Sequence, residues 1–133
     1  MGGALAEGLM KSEALTPSDL VISDPSTAAL SRFDKSGAVI TTDNLLAVEG
    51  ASIVFIVVKP WLVQQVIEGI SPSIQGKRLS IVVIAAGVAS DDICKWLRCD
   101  DNADLSVFLA IPNTAIAVKE SMTFLVPVKA PET

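Results

Sequence analysis

The chain has 133 residues, half of them hydrophobic but only 5% aromatic, and carries a formal charge of −5 with no histidine. That length fits one domain whose core must be built from Val, Ile, Leu and Ala, as in a parallel sheet buried under helices. Scattered acidic residues give a nucleic-acid backbone no basic stripe to follow, and the runs Ala51 to Val58 and Ile81 to Ala89 are too short to cross a bilayer.

In chain order, Leu5, Leu9 and Met10 fall at helical spacing and predict a helix over Gly2 to Ser12. Short β-rich runs then alternate with helical patterns, the signature of repeated βαβ units. Strands are expected near Leu20 to Ser23, Ala38 to Thr41, Ile53 to Val58, Leu79 to Ala85, Leu105 to Ile111 and Met122 to Val126. Helices are expected after Ser26, from the Thr42-Asp43 cap, from Pro60 to about Gly69, and from Asp91 and Asp92 to Arg98. The pattern over residues 1–126 is that of a doubly wound sheet, and 127–133, polar and proline-bearing, read as the start of a linker.

The missing histidine removes Ser-His-Asp and Cys-His catalysis and histidine metal ligands. Cys94 and Cys99 alone do not complete a zinc site, so no metal is expected, and the pair reads as two reduced thiols on or near a helix. No secretory signal is visible, which makes the cytoplasm the expected location.

In dinucleotide-binding folds a first strand enters a glycine-rich turn whose following helix points free N–H groups at the pyrophosphate. Met1-Gly2-Gly3-Ala4 matches the second half of such a turn, or else is a flexible terminus. Asp24, about twenty residues on, suits the adenosine ribose hydroxyls, and equally suits a turn that opens at Pro25 and caps the next helix.

Four further segments complete an ordered set: Thr41-Thr42-Asp43-Asn44, Val57-Val58-Lys59-Pro60, Ala85-Ala86-Gly87, and Ile111-Pro112-Asn113-Thr114 leading to Glu120-Ser121-Met122-Thr123. Taken together the segments resemble the N-terminal NAD(P)-binding domain of pyrroline-5-carboxylate reductases, truncated at both ends. The fold so implied is α/β, a Rossmann-like doubly wound parallel sheet lacking the usual first strand. The strands at Leu20 and Ile53 would then each lack a ladder partner, giving a marginally stable or misassembled product.

The resemblance implies that Gly2 and Gly3 approach the pyrophosphate, Asp24 the adenosine ribose, and Asn44 the cofactor. It further implies that Val57, Val58, Lys59, Pro60, Ile84, Ala85 and Ala86 line the nicotinamide side, with Asn113 and Thr114 as the catalytic positions at the reacting ring. Each has a plainer use: Lys59 as a solvated strand end, Pro60 as a helix opener, Asn44 as a turn residue, Ala85-Ala86-Gly87 as a strand exit.

The implied reaction is reduction of pyrroline-5-carboxylate to proline with NADPH or NADH, in an oxidoreductase of proline biosynthesis whose parent is a homo-oligomer. The partners are a nicotinamide nucleotide and a small imino acid, and the isolated fragment is expected to be inactive. Ile111 and Ala115 depart from the family's flanking methionine and proline, and Ser23-Asp24-Pro25-Ser26 departs from its polar or basic loop. Asp24 favours NADH; family habit, with Arg32 or Lys35 as a charge, favours NADPH. A nucleotide-binding module without catalysis and a related dehydrogenase with another substrate remain the alternatives.

Overall fold

In the computed structural model, residues 2–111 and 124–129 are described. They divide into two compact units, one built on the chain up to Ala47 and the other on the described residues from Val48 onward.

The first unit opens with helix α1 (Gly2–Lys11), which buries Leu5, Ala6 and Gly8. Strand β1 (Val21–Ser23) pairs in parallel with β2 (Val39–Thr41), with Ser23 opposite Thr41. Between them lies the short helix α2 (Thr27–Leu30). Its cap is Ser26, whose hydroxyl accepts the Ala29 N–H at 3.2 Å and so satisfies a donor that a helix start leaves open. Leu30 and Phe33 are buried here. Helix α3 (Asn44–Val48) follows β2 at the expected position; Asp43 Oδ1 accepts the Leu45 N–H at 2.9 Å.

The second unit is a sheet in the order β3 (Ile53–Ile56), β4 (Leu79–Val83), β5 (Leu105–Ile111), β6 (Phe124–Lys129). The first three strands are parallel, joined by α4 (Val63–Ile74) and α5 (Ser90–Leu97). Leu79, Ile81 and Val83 alternate into one face of β4, and Leu105 and Val107 do the same on β5. Val63, Ile67, Ile70 and Ile74 of α4 recur at one face and join Ile93 and Leu97 of α5 in the same core. Val, Ile, Gly and Pro are poor helix formers, so this burial, worth roughly 1.5–3 kcal/mol per large side chain, is what holds α4 together.

Three expectations need correcting. Strand β6 is antiparallel to β5, whereas an all-parallel sheet was expected. It stands last in the order, and its Pro127, which has no N–H to donate, is tolerated on such an edge. Helix α4 does not stop near Gly69 but runs on to Ile74, because Ile70 and Ile74 continue its buried stripe. The helix after β1 is capped by Ser26 and not by Asp24. Elsewhere the strands begin within a residue of their expected starts, although β3 and β4 end two residues early.

Asn102, buried in the second unit, ties several ends together. Its amide donates to the carbonyls of Ile74 and Lys77, each at 3.2 Å, while its oxygen accepts the Asp104 N–H at 3.1 Å. Lys129, the last residue of β6, donates to the carbonyls of Asn102 at 2.9 Å and Leu105 at 3.0 Å. Among the described residues β1 pairs only with β2, and β3 only with β4. No helix of the described residues is long and apolar enough to cross a membrane.

Candidate functional site

In open α/β sheets ligands bind beyond the carboxyl ends of the parallel strands; Asp24 and Asn44 follow strand ends in the first unit, and Val57 to Pro60 and Ile84 to Ala86 follow strand ends in the second. In the first unit β1 ends at Ser23, whose hydroxyl donates to Asn44 Oδ1 at 2.7 Å. One bond thus joins the end of β1 to the residue that opens α3, and Asn44 keeps its amide donors. Asp24 follows directly: its N–H donates to the Thr41 carbonyl at 3.2 Å and its Oδ1 accepts the Ser26 N–H at 2.8 Å. Turn former and strand-end carboxylate are therefore the same residue.

Gly2 and Gly3 form the first turn of α1, which contains no acidic residue, so the positive end of the helix dipole stays uncompensated by its own side chains. A Cβ on Gly3 would stand 2.6 Å from Arg32 Nη1, which means that the guanidinium lies against this turn. Arg32 is ion-paired with Glu7 and sits over the Phe33 ring, 5.1 Å from its centroid. Glycine is thus the residue that leaves room for both backbone and cation.

In the second unit β3 ends at Ile56, and the Ile84 N–H donates to the Ile56 carbonyl at 2.9 Å, one residue beyond the end of β4. That bond sets Val57 to Pro60 and Ile84 to Ala86 beside one another as adjacent strand exits. Val57, Val58, Ile84 and Ala85 are half-buried, while Lys59, Pro60 and Ala86 are exposed. Lys59 is extended (φ −59°, ψ 145°), as a residue before proline must be, and Pro60 opens the 3₁₀ turn Pro60–Leu62 that leads into α4. Gly87 (φ +77°) turns the chain away from β4 in a conformation that favours glycine.

Neither cysteine is positioned for chemistry at these strand ends. Cys99 is buried, and loss of solvent, reinforced by the neighbouring Cys94 thiol, pushes its pKa up to about 12. Asn113 and Thr114 lie outside the described residues. Ser23 is the residue that sequence reasoning left out of the site; its only signal was its place as the last polar residue of a strand.

Residues 1–87 match the model of the family described as NADP oxidoreductase, coenzyme F420-dependent. The chain belongs to this family. Among curated relatives, pyrroline-5-carboxylate reductase 3 of Danio rerio is 35% identical over 88 residues, covering 66% of this chain and 30% of that protein. Pyrroline-5-carboxylate reductase of Escherichia coli is 29% identical over 128 residues, covering 96% of this chain and 46% of that protein. The chain therefore spans less than half the length of these relatives.

Among solved structures, a pyrroline-5-carboxylate reductase from Coxiella burnetii superposes with a TM-score of 0.81 at 26% identity, over 92% of this chain and 44% of that one. A Plasmodium falciparum pyrroline carboxylate reductase with NADP bound has a TM-score of 0.78 at 20% identity, over 96% and 44% of the two chains. This family member accordingly has the Rossmann-like α/β fold of those structures.

Proposed function

We propose that this chain is the nicotinamide-nucleotide-binding part of a pyrroline-5-carboxylate reductase. The observation that carries the reading is the first turn of α1, which has no acidic residue of its own and where the missing Cβ of Gly3 gives the room that the Arg32 guanidinium occupies. Such a turn suits an anionic pyrophosphate. Gly2 and Gly3 bind it through backbone N–H groups; Asp24 takes the adenosine ribose hydroxyls, and Asn44 offers amide donors to the cofactor.

Val57, Val58, Lys59, Pro60, Ile84, Ala85 and Ala86 line the nicotinamide end, where the half-buried Val57, Val58, Ile84 and Ala85 keep water from it. Asn113 and Thr114 stand at the reacting ring on the strength of the Pro-Asn-Thr motif alone. When bound, the reduced nicotinamide would supply the hydride to the carbon of a cyclic imine whose nitrogen carries a proton taken from solvent, giving the amine, so the protein needs neither histidine nor a nucleophile. The imino acid substrate, the homo-oligomeric parent and the reaction itself are proposed for a whole protein of which this chain is the cofactor-binding portion. A cytoplasmic location belongs to the same proposal and is supported by the two free cysteines, Cys94 and Cys99.

Calorimetric titration of a polypeptide of this sequence with NADPH and with NADH tests the reading. Saturable binding of at least one nucleotide in the micromolar range is expected, and Gly3→Val should weaken it about tenfold by displacing Arg32 from the turn. Absence of binding by both nucleotides would end the proposal.

A further inference from the structure

The description of the family names NADP, yet the strand end that would receive its 2′-phosphate does not fit that group. We infer that Asp24 makes this chain select NADH over NADPH; the inference rests on the nucleotide-binding reading above.

Asp24 is the residue immediately after β1, half-buried, with its backbone tied to Thr41 and its Oδ1 tied to the Ser26 N–H. The carboxylate is therefore held in place and not a mobile surface group that a phosphate could push aside. Its second oxygen makes no hydrogen bond among the described residues. A ribose diol offers that oxygen O–H donors; a 2′-phosphate offers it only negative charge.

The rest of the turn is equally unsuited to a phosphate. Pro25 has no N–H, the Ser26 N–H is already engaged by Asp24, and the Ser26 hydroxyl oxygen caps α2 through Ala29. Arg32 lies against the first turn of α1, where it pairs with Glu7 and sits over the Phe33 ring. Lys35, the other cation between β1 and β2, is an exposed single lysine, a kind of charge that contributes little against a carboxylate in the site.

Titration of the full chain with NADH and with NADPH, in parallel with Asp24→Asn, decides the matter. The asparagine keeps an Oδ1 acceptor for Ser26 and removes only the charge, and circular dichroism checks that its fold is retained. The native chain should bind NADH about tenfold or more tighter than NADPH, as expected for a like-charge contact in a partly screened site. In Asp24→Asn the gap should narrow to about threefold or less, chiefly through tighter NADPH binding. Equal or tighter NADPH binding by the native chain overturns the inference and leaves the nucleotide reading standing; failure of both nucleotides to bind overturns the two together.

Discussion

Single side chains in this molecule serve local structure and the strand ends at once, and Cys99 shows how burial governs a titration. Its thiol is pushed from an ordinary value of 9.0 up to about 12 by loss of solvent, with Cys94 adding to the shift. Below about pH 9 both the folded and the unfolded chain keep the proton, and stability does not depend on this group. Between pH 9 and 12 the unfolded thiol ionises while the folded one resists, so the unfolded state gains and stability falls, on the order of 1 kcal/mol per pH unit. Urea unfolding at pH 8 and pH 10 should show the loss in the native chain and a smaller one in Cys99→Ala; equal slopes in the two proteins would contradict it. Cys94, half-buried, should be alkylated in the folded state well before Cys99. At this scale the sequence was ambiguous. Asp24 suited a turn or a ribose because its residue type suits both, and the Ser26 bond shows that the turn engages only one of its two oxygens. Ser23 escaped notice because a serine bonded across to Asn44 carries no sequence pattern.

At the scale of elements, apolar spacing was the readable signal, and it outweighed local breakers. Pro60 marked a helical start because its fixed φ belongs there. Gly69 looked like an end and was not one, since Ile70 and Ile74 keep the stripe of α4 facing the core. The direction of β6 was not legible, because an apolar run reads alike both ways. Helix α4 also retains Pro72, exposed near its last turn, which cannot donate to the Glu68 carbonyl four residues back. Pro72→Ala restores that donor and removes a ring clash, against a smaller entropic gain to the unfolded chain. The variant should be more stable by about 1–2 kcal/mol, less than the full helix-interior penalty because the site lies near a helix end. A thermal midpoint unchanged or lowered would show that the last turn of α4 is held wholly by its Ile70 and Ile74 contacts.

For the whole molecule the governing fact is that the strands form two sheets, with β1 and β3 each paired on one side only among the described residues. β3 exposes Ile53 at 56% and Phe55 at 37% of their surface, and β1 exposes Val21 at 37%. Such strands present unpaired backbone groups together with apolar side chains, the combination that recruits another chain. The well-packed face of the second unit does not offset this, because burial of Ile81, Val83, Leu105 and Val107 stabilises the unit without covering the β3 edge. A polypeptide of this sequence should therefore self-associate at micromolar concentration, seen as concentration-dependent sedimentation. Ile53→Lys places a charge on the open edge at a position already half exposed, so it should shift the distribution toward monomer with little change in unfolding free energy, about 0.5 kcal/mol or less. A native chain that sediments as a monomer throughout that range, or an Ile53→Lys variant that associates as strongly, would mean that β3 is not the edge through which copies meet.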